Sequence, residues 1–455
     1  MTEEEKFSKV TFFSYALGNL LITLLGVVSD TRLFIFYETE IGLPATFILV
    51  AFVIYGIWNM VNDPLMGFIS DRKNALWQRW GRRFPWILIG GLLYCIFFVM
   101  LFTPPTEVII FLFIYLVFIT CLVDLLLSMW TTNYYALYTD KFRSQEVRTK
   151  VSGIAVILGI IGITVGTLIP PLIIEYGNRQ SYIIAAGSIA LIGLVIIFLM
   201  IPGIRENEKM IARAMSDLKD EKVSFWKELK NVLKKRNFVA FLFANTAWQI
   251  VVVIMLTSVP YLNQYVFRQP ASSEILITAS LLVGSIGSVP IWVRFARKKG
   301  NRATTIIGLF LMAFTLFPLL FIPTLLGAAF VAFLIGIGNG AIYVATYPML
   351  SDVIDEIVVL TSKRKEGIYI GIRTFFMRLS YISQAIIFTI VHVLTGFNPI
   401  PGAEQSPLAL FGIRLHSSII PMIILIVGGL VFWKLCDLRP DKVKNIKEKL
   451  VALKI

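Results

Sequence analysis

The chain has 455 residues, of which 57% are hydrophobic and only 15% are charged, and its mean hydropathy is +0.78. Apolar stretches of about 20 residues, long enough to cross a bilayer as a helix, recur along the chain. This composition excludes a soluble globular protein and predicts an all-α membrane protein with many spans.

Charged or Pro/Gly-rich breaks divide the apolar sequence into twelve predicted transmembrane spans. They lie near residues 11–37, 44–70, 84–103, 107–138, 151–174, 181–202, 238–266, 273–296, 303–324, 326–350, 367–396 and 409–435. The first nine residues are acidic and polar, so we expect no cleaved signal peptide. The three cysteines lie in or beside spans without paired spacing, which predicts neither a disulfide framework nor a zinc site.

The distribution of basic residues predicts the orientation of the chain. Of the 42 Lys and Arg residues, 36 fall in the two termini and in alternate loops, whereas the opposite loops hold Arg179, Arg268 and Arg414. Basic loops stay on the cytoplasmic side, so both termini are predicted to be cytoplasmic. The net charge of +14 is then a topology signal, and no nucleic-acid partner is expected.

The longest non-apolar segment predicts the domain organisation. It separates an N-terminal six-helix bundle (1–202) from a C-terminal six-helix bundle (237–437), which a cytoplasmic tail (438–455) follows. The segment itself (203–236) is predicted to be a cytoplasmic linker, and its end, SFWKELKNVLKK, has the apolar spacing of an interfacial helix. Two six-span halves, each with a basic loop after its second span, are typical of the major facilitator superfamily, in which solute binds near the bilayer midplane.

One stretch resembles the cytoplasmic gate motif of that superfamily. A glycine permits close helix approach, while acidic and basic side chains pair across helix ends. The predicted gate consists of Gly67, Asp71, Arg72, Gly81, Arg82 and Arg83.

More specific motifs resemble the glycoside-pentoside-hexuronide:cation symporter family, typified by the melibiose permease. They are Asn62-Asp63-Pro64-x-x-Gly67 and Arg79-Trp80-Gly81-Arg82-Arg83-Phe84-Pro85-Trp86. Further similarity at residues 133–137, 351–355 and 364–367 extends the resemblance over essentially the whole chain. It implies alternating access, Na⁺ or H⁺ as coupling ion, and no cofactor.

The resemblance implies a cation site on spans 2 and 4. The family binds its cation with two span 2 carboxylates one helical turn apart; Asp63 matches the second, and the uncharged Asn59 stands at the first. Ser128 matches a cation-binding hydroxyl, and Thr131 stands where the family has an acidic residue. With Asn62 as a further neutral oxygen donor, these residues form the predicted cation site.

The resemblance also implies solute contacts. Tyr135 stands at the position of a sugar-stacking tryptophan, Arg378 at that of a span 11 lysine, and Thr374 at that of a threonine. The family's sugar-binding carboxylate of span 1 aligns near Leu21, which carries none. The scaffold is retained while the ligand set is changed.

Residue spacing adds further solute-binding candidates. A charge at the centre of a span costs at least about 2.5–3.5 kcal/mol, so it faces a cavity or a partner. Asn19 and Asp30 share one face of span 1, and Asp124 shares a face of span 4 with Ser128 and Tyr135. Hydration at the outer end of the span is an alternative for Asp30, and a structural pair is one for Asp124.

Two other polar pairs lie one helical turn apart, Asn245 with Gln249 in span 7 and Asn339 with Tyr343 in span 10. Both suit hydrogen bonds to solute hydroxyls, and both equally suit bonds to neighbouring helices.

Together these observations predict a secondary active transporter, a monomer in the plasma membrane, that moves a sugar, glycoside or related polar solute together with Na⁺ or H⁺. A transporter of lysolipids or other amphiphiles and an uncoupled uniporter are the alternatives. An integral membrane enzyme would need a nucleophile with its base, or a metal cluster, and the sequence indicates neither.

Overall fold

The computed structural model of the chain describes residues 8–70, 80–142, 144–207, 210–211, 225–361, 366–400 and 403–453. The chain divides into two compact units, one of Met1–Asp220 with Pro399–Gly402 and one of Glu221–Asn398 with Ala403–Ile455. Each unit contains six long apolar helices, and the segments of the chain that the structure describes contain no β-strand.

The N-terminal unit contains helices α1 to α6. They are α1 (Lys9–Ile35), which a π-helical turn extends to Glu40, α2 (Ala45–Ser70), α3 (Phe84–Met100), α4 (Ile109–Lys141), α5 (Gln145–Leu168) and α6 (Arg179–Ile204). Side-chain caps start several of them: Ser8 accepts a hydrogen bond from the Thr11 N–H, and Ser144 accepts one from that of Val147. Such caps satisfy backbone donors that the first helical turn leaves without partners.

The C-terminal unit contains helices α7 to α12. They are α7 (Arg236–Tyr261), α8 (274–299), α9 (301–316), α10 (Leu325–Thr361), α11 (Glu366–Thr395) and α12 (Pro407–Leu435). Helices α8 and α9 run into one another at Gly300, whose φ of 84° breaks the helical backbone. A short linker helix (Phe225–Val232) precedes α7, and a tail helix (Pro440–Leu453) follows α12.

The twelve predicted spans are confirmed within the described residues. Ten helical segments are long and apolar enough to cross a membrane; one of these, Ala271–Leu320, contains both α8 and α9, and the shorter α3 completes the twelve. Helix α10 continues to Thr361, beyond the predicted end at residue 350, because Val353, Ile357 and Val358 bury one face of the extension among the core residues of the C-terminal unit. Apolar helices satisfy their own backbone groups, which a bilayer requires.

The two units repeat one pattern of helix pairing. In the N-terminal unit α1 packs on α5 and α6, α2 on α4, and α3 on α4 and α6. In the C-terminal unit α7 packs on α11 and α12, and the α8–α9 segment packs on α10 and α12. The main helix pairs of the first unit therefore recur in the second when α8 and α9 are taken together.

Glycines allow the closest of these contacts. A methyl group on Gly162 or Gly166 of α5 would lie 2.5 or 2.6 Å from the α1 carbonyl oxygens of Leu20 or Leu24. On α10, one on Gly338 would lie 2.7 Å from the Met312 nitrogen of α9. Small residues let helix backbones approach closely. The resulting van der Waals contacts favour helix association in lipid, where the hydrophobic effect does not.

Candidate functional site

A buried polar cluster joins α2 to α4 in the N-terminal unit. Asn59, Asn62 and Asp63 follow the i, i+3, i+4 spacing on α2, and Asp124 and Ser128 lie one turn apart on α4. Because residues with these spacings share a face of a helix, packing α2 on α4 brings the two polar faces together.

Hydrogen bonds connect the whole cluster. The side-chain amides of Asn59 and Asn62 each donate to one oxygen of Asp124, Asn62 to Oδ2 over 2.9 Å. The Asn62 amide also donates to the Ser128 hydroxyl at 3.0 Å, and this hydroxyl donates to Asp63 Oδ1 at 2.5 Å. The chain of bonds thus links two carboxylates on neighbouring helices.

Most of the cluster is shielded from solvent, although the Asp63 side chain is only partly buried. Asn62 is 0% exposed and Asp124 is 2% exposed. Two amide donors stabilise the Asp124 carboxylate, because hydrogen bonds to a charged group offset part of its desolvation cost. Asn62 Oδ1 is a buried acceptor that no described residue hydrogen bonds. Carboxylate, hydroxyl and amide oxygens are the donor set that hard cations prefer, so these residues fit a small monovalent cation.

The predicted cation residues are largely brought together. Asn59, Asn62, Asp63 and Ser128 all belong to the cluster, whereas the Thr131 hydroxyl donates to the Leu127 carbonyl of its own helix, 2.8 Å away. Asp124 was predicted to contact solute, but its oxygens bond the two asparagines of the predicted cation site. Its role as a ligand of either kind stays a prediction.

The remaining N-terminal candidates lie on α1 and α4. Asp30 lies on α1 with a partly buried side chain. Tyr135 lies on α4 with an exposed side chain. Asn19 instead donates to the Ala155 carbonyl of α5 at 2.7 Å.

In the C-terminal unit, the residues predicted on α10 contact neighbouring helices. Asn339 accepts from the Trp248 indole N–H at 2.8 Å and donates to the Ser285 hydroxyl at 3.2 Å, while Tyr343 packs edge-on against Trp248. Asn339 therefore ties α7, α8 and α10 together. Gln249, Thr374 and Arg378 are partly exposed side chains on α7 and α11.

Sequence analysis missed a buried guanidinium on α11. Arg373 donates through Nε to Asn245 Oδ1 of α7 at 3.2 Å, and its Cζ lies 5.3 Å from the ring centroid of Tyr347 on α10. The signal that could have found it was the rarity of charge within spans, which applies to Arg373 as much as to Arg378.

The described part of the predicted gate is held within the N-terminal unit. Gly81 has a φ of 91°, and the backbone N–H groups of Arg82, Arg83 and Phe84 all donate to the Glu206 carboxylate, at 3.1, 2.5 and 3.0 Å. The Arg83 guanidinium donates to Asn133 Oδ1 at 3.1 Å. A methyl group placed on Gly67 would lie 3.8 Å from the side-chain methyl of Thr132, so α2 and α4 are also close at this position. Asp71 and Arg72 lie outside the described residues.

Two histidines that are distant in sequence also meet. His392 of α11 and His416 of α12 bring their Nε2 atoms to 3.3 Å, and Ser258 lies 2.9 Å from His416 Nδ1. The described residues contain no group of three or more His, Cys, Asp or Glu side chains that could hold a metal ion.

Twelve membrane-spanning helices in two units of repeated pairing, with a buried ionisable cluster inside one unit, define a secondary transporter of the major facilitator superfamily. The chain belongs to the MFS/sugar transport protein family, whose model matches residues 14–436. This match confirms the resemblance inferred from the span 2 motifs.

Curated relatives cover nearly the whole chain. The sodium-dependent lysophosphatidylcholine symporter 1 of Xenopus tropicalis is 22% identical over 99% of this chain and 91% of its own length. The uncharacterized symporter YnaJ of Bacillus subtilis (strain 168) is 23% identical over 98% and 95%. The isoprimeverose transporter of Lactiplantibacillus pentosus is 21% identical over 96% and 91%.

Solved structures agree on the fold. A point mutant of the nucleoside transporter NupG superposes with a TM-score of 0.66 at 13% identity, covering 94% of this chain and 100% of that one. A bacterial homologue of the human lysosomal transporter Spinster gives 0.62 at 13% identity, with 97% of each chain covered. At this identity the likeness concerns the fold alone.

Proposed function

We propose that this protein is a cation-coupled symporter that moves a sugar, glycoside or related polar solute across the plasma membrane by alternating access. The observation that carries the proposal is the buried cluster in which Ser128 and Asn62 link the carboxylates of Asp63 and Asp124. Carboxylates buried in a membrane protein mark ion pathways, because an uncompensated charge there is costly.

In this proposal the coupling ion supplies the positive charge that the cluster lacks. Na⁺ would bind to oxygens of Asp63, Asn62 and Ser128, whereas H⁺ would bind to a carboxylate oxygen of Asp63. Either ion reduces the negative charge of the cluster within the bilayer. Ion binding then favours the conformational change, provided that the ion binds the two states with different affinity.

The solute contacts proposed from the sequence are Tyr135, Thr374 and Arg378, together with Asp30. Both termini are proposed to be cytoplasmic, and the protein is proposed to work as a monomer. A lysolipid is the second candidate solute, because the name of the Xenopus tropicalis relative states lysophosphatidylcholine and sodium dependence while that of the Lactiplantibacillus pentosus relative states a sugar.

The symport proposal predicts a specific loss in Asp63→Asn. Without this carboxylate the ion loses its charged ligand, so we expect Na⁺- or pH-driven accumulation of solute in proteoliposomes to vanish, while downhill exchange persists. The reverse change, Asn59→Asp, adds a negative charge one turn away and should raise cation affinity or alter the Na⁺/H⁺ preference.

Solute uptake by the unmodified protein provides the decisive comparison. If a verified solute enters at the same rate with and without Na⁺ and pH gradients, the protein is a uniporter and the symport proposal fails. An Asp63→Asn variant that still accumulates solute against its gradient would remove Asp63 from the mechanism.

A further inference from the structure

A buried positive charge in the C-terminal unit lacks a counter-ion among the described residues. Arg373 is 7% exposed, and the interactions of its guanidinium there are one hydrogen bond to Asn245 and one contact with the ring of Tyr347. The aromatic face favours the cation electrostatically but does not neutralise it. An ion buried without an opposite charge is costly to hold inside a membrane protein.

The polar atoms that Arg373 and Asn245 leave unpaired among the described residues are hydrogen-bond donors. Asn245 uses its side-chain oxygen to accept from Arg373 Nε, and its Nδ2 amide is buried without a hydrogen bond to any described residue. The terminal amino groups of Arg373 likewise make no hydrogen bond to the described part of the chain. Guanidinium and amide N–H groups can only donate. What fits beside them is therefore an acceptor, and the positive charge favours an anion over a neutral one.

We propose that Arg373 and Asn245 form an oxyanion-binding subsite, and that the solute of this transporter carries a carboxylate or phosphate group. The inference rests on the proposed transport function and specifies the class of solute. The planar guanidinium fork matches both oxyanions, and the neighbouring amide adds a further donor. The exposed ring of Tyr347 faces the guanidinium and adds an apolar wall.

A uronic acid and a lysophospholipid both present such an oxyanion. The shared chemistry is the charged group, and the experiment separates the two sources with matched pairs of probes. Methyl glucuronide is compared with methyl glucoside, and lysophosphatidic acid with a monoacylglycerol of the same chain length. Within each pair the compounds differ only at the anionic group.

The measurement is the shift in melting temperature and the Kd of each probe with the purified full-length protein. We expect the anionic member of one pair to bind, its neutral partner to bind at least tenfold more weakly, and Arg373→Gln to remove this preference. Arg373→Lys keeps the charge but not the fork and should retain part of the preference. Asn245→Asp places a carboxylate beside the guanidinium and should abolish anion binding while keeping or raising the melting temperature.

Arg414 provides the matched control. Its Nη1 donates to the backbone carbonyls of Leu319, Leu320 and Ile322, so it is a partly buried arginine whose guanidinium is bound by the protein's own backbone. Arg414→Gln should lower stability without changing the preference for the anionic probe. This separates a structural loss from the loss of an anion site.

Three results would overturn the subsite: neither anionic probe binds, the neutral partner binds as tightly, or Arg373→Gln keeps the preference. These outcomes are distinct from failure of symport. Anion binding that depends on Arg373 but is indifferent to Na⁺ and pH would leave the subsite standing and remove the coupling. Na⁺-driven uptake of methyl glucoside that persists in Arg373→Gln would support the coupling and remove the subsite.

Discussion

At the scale of single residues, the hydrogen bonds of Ser128 depend on how its own helix, α4, packs on α2. Its hydroxyl accepts from Asn62 and donates to Asp63, so one oxygen bridges two residues of α2. Thr131 lies three residues further along α4. Among the described residues, its hydroxyl hydrogen bonds only to the Leu127 carbonyl of the same helix. The spacing of α4 predicted that both face the same way, and the partner of each depended on how α2 packs.

Ser128→Ala should weaken cation binding without removing charge. The change deletes the bridge but keeps both carboxylates, so we expect a loss of roughly tenfold in Na⁺ affinity, the equivalent of one hydrogen bond to a charged group. Isothermal titration or the Na⁺ dependence of solute uptake measures it. Thr164→Val, which deletes an exposed hydroxyl bonded to its own helix, is the control. Unchanged Na⁺ affinity in Ser128→Ala would exclude the hydroxyl from the cation site.

Gly81 shows a second residue-scale effect, because two separate factors require a glycine there. Its φ of 91° is strained for any residue with a Cβ, and that Cβ would lie 2.7 Å from the Glu206 carboxyl carbon. Gly177 has a φ of 79° but nothing within 4 Å of the same position. The two glycines therefore separate backbone strain from the clash.

Gly81→Ala should destabilise the protein more than Gly177→Ala does. The left-handed backbone alone costs about 1–2 kcal/mol, and only at position 81 does the methyl group also displace the carboxylate that accepts three backbone N–H groups. We expect an additional loss of about 2 kcal/mol, since hydrogen bonds to charged groups contribute about 1.5–3 kcal/mol each. Melting temperatures in detergent measure the difference.

The double variant Gly81→Ala/Glu206→Ala tests this cause. Removing the carboxylate relieves the clash. The double variant should therefore lose less stability than the sum of the losses in Gly81→Ala and Glu206→Ala. Full additivity, or equal losses at positions 81 and 177, would contradict the packing argument.

At the scale of whole helices, a charged network fastens the tail helix to α7 and α10. Lys442 donates to Glu356 at 2.6 Å and to Asp437 at 2.7 Å, and the Asn237 amide donates to both carboxylates at 2.7 Å. Partial burial opposes the charge of Asp437, but the hydrogen bonds of Lys442 and Asn237 outweigh it and lower its pKa. Burial likewise opposes the charge of Lys442, and its hydrogen bonds to Asp437 and Glu356 raise its pKa nonetheless.

These directions give the pH range in which the network stabilises the fold. A lowered pKa of Asp437 means that its contribution is present above the unfolded pKa and is lost as the pH falls through the folded one. A raised pKa of Lys442 means that its contribution is present below the unfolded pKa and is lost as the pH rises through the folded one. Between about pH 5 and pH 9 both groups keep their charge, so the contribution of this network is constant.

Lys442→Met should introduce a pH dependence that the unmodified network lacks. It leaves the Asp437 and Glu356 carboxylates close to the same amide, and their repulsion raises the pKa of Asp437. We expect a loss of about 1 kcal/mol near pH 7, because both partners are partly exposed, and partial recovery towards pH 5. Melting temperatures between pH 5 and pH 9 measure it.

Lys150→Met is the matched control for that experiment. Lys150 pairs with the single carboxylate of Glu146 one turn away on the same exposed surface. Its loss leaves no pair of carboxylates, so no recovery on acidification is expected. Equal pH profiles for the two variants would show that the Asp437–Glu356 repulsion is negligible.

At the scale of the whole molecule, the charge distribution predicts topology. Cysteine tags at positions 40, 178 and 402 should react with a membrane-impermeant reagent from outside, and tags at 76, 215 and 445 should not. The experiment uses a background without the three native cysteines, with labelling after permeabilisation as the control for reactivity. External labelling at position 215 would overturn the predicted orientation.

The twelve spans and the family could be predicted from the sequence, because hydropathy, basic loops and the Asn62–Gly67 and Arg79–Trp86 motifs are properties of short segments of the chain. The length of α10 could not, because Asp352 ends the apolar run while Val353, Ile357 and Val358 continue the buried face. The domain boundaries at residues 202 and 236 stay predictions. Four of the five predicted cation residues lie in one cluster, since the spacing on α2 and α4 already places them on shared faces.

Local sequence patterns are sufficient to predict the membrane-spanning character, the number of helices and the faces on which polar residues lie, because a helix repeats every 3.6 residues and lipid requires apolar surfaces. Which polar faces meet depends instead on how the helices pack. Asp124 joins Asn59 and Asn62, Arg373 joins Asn245, and His392 joins His416. These partners lie on different helices and up to 128 residues apart. Helix packing, which follows from glycine contacts and side-chain shape over the whole unit, sets their distances.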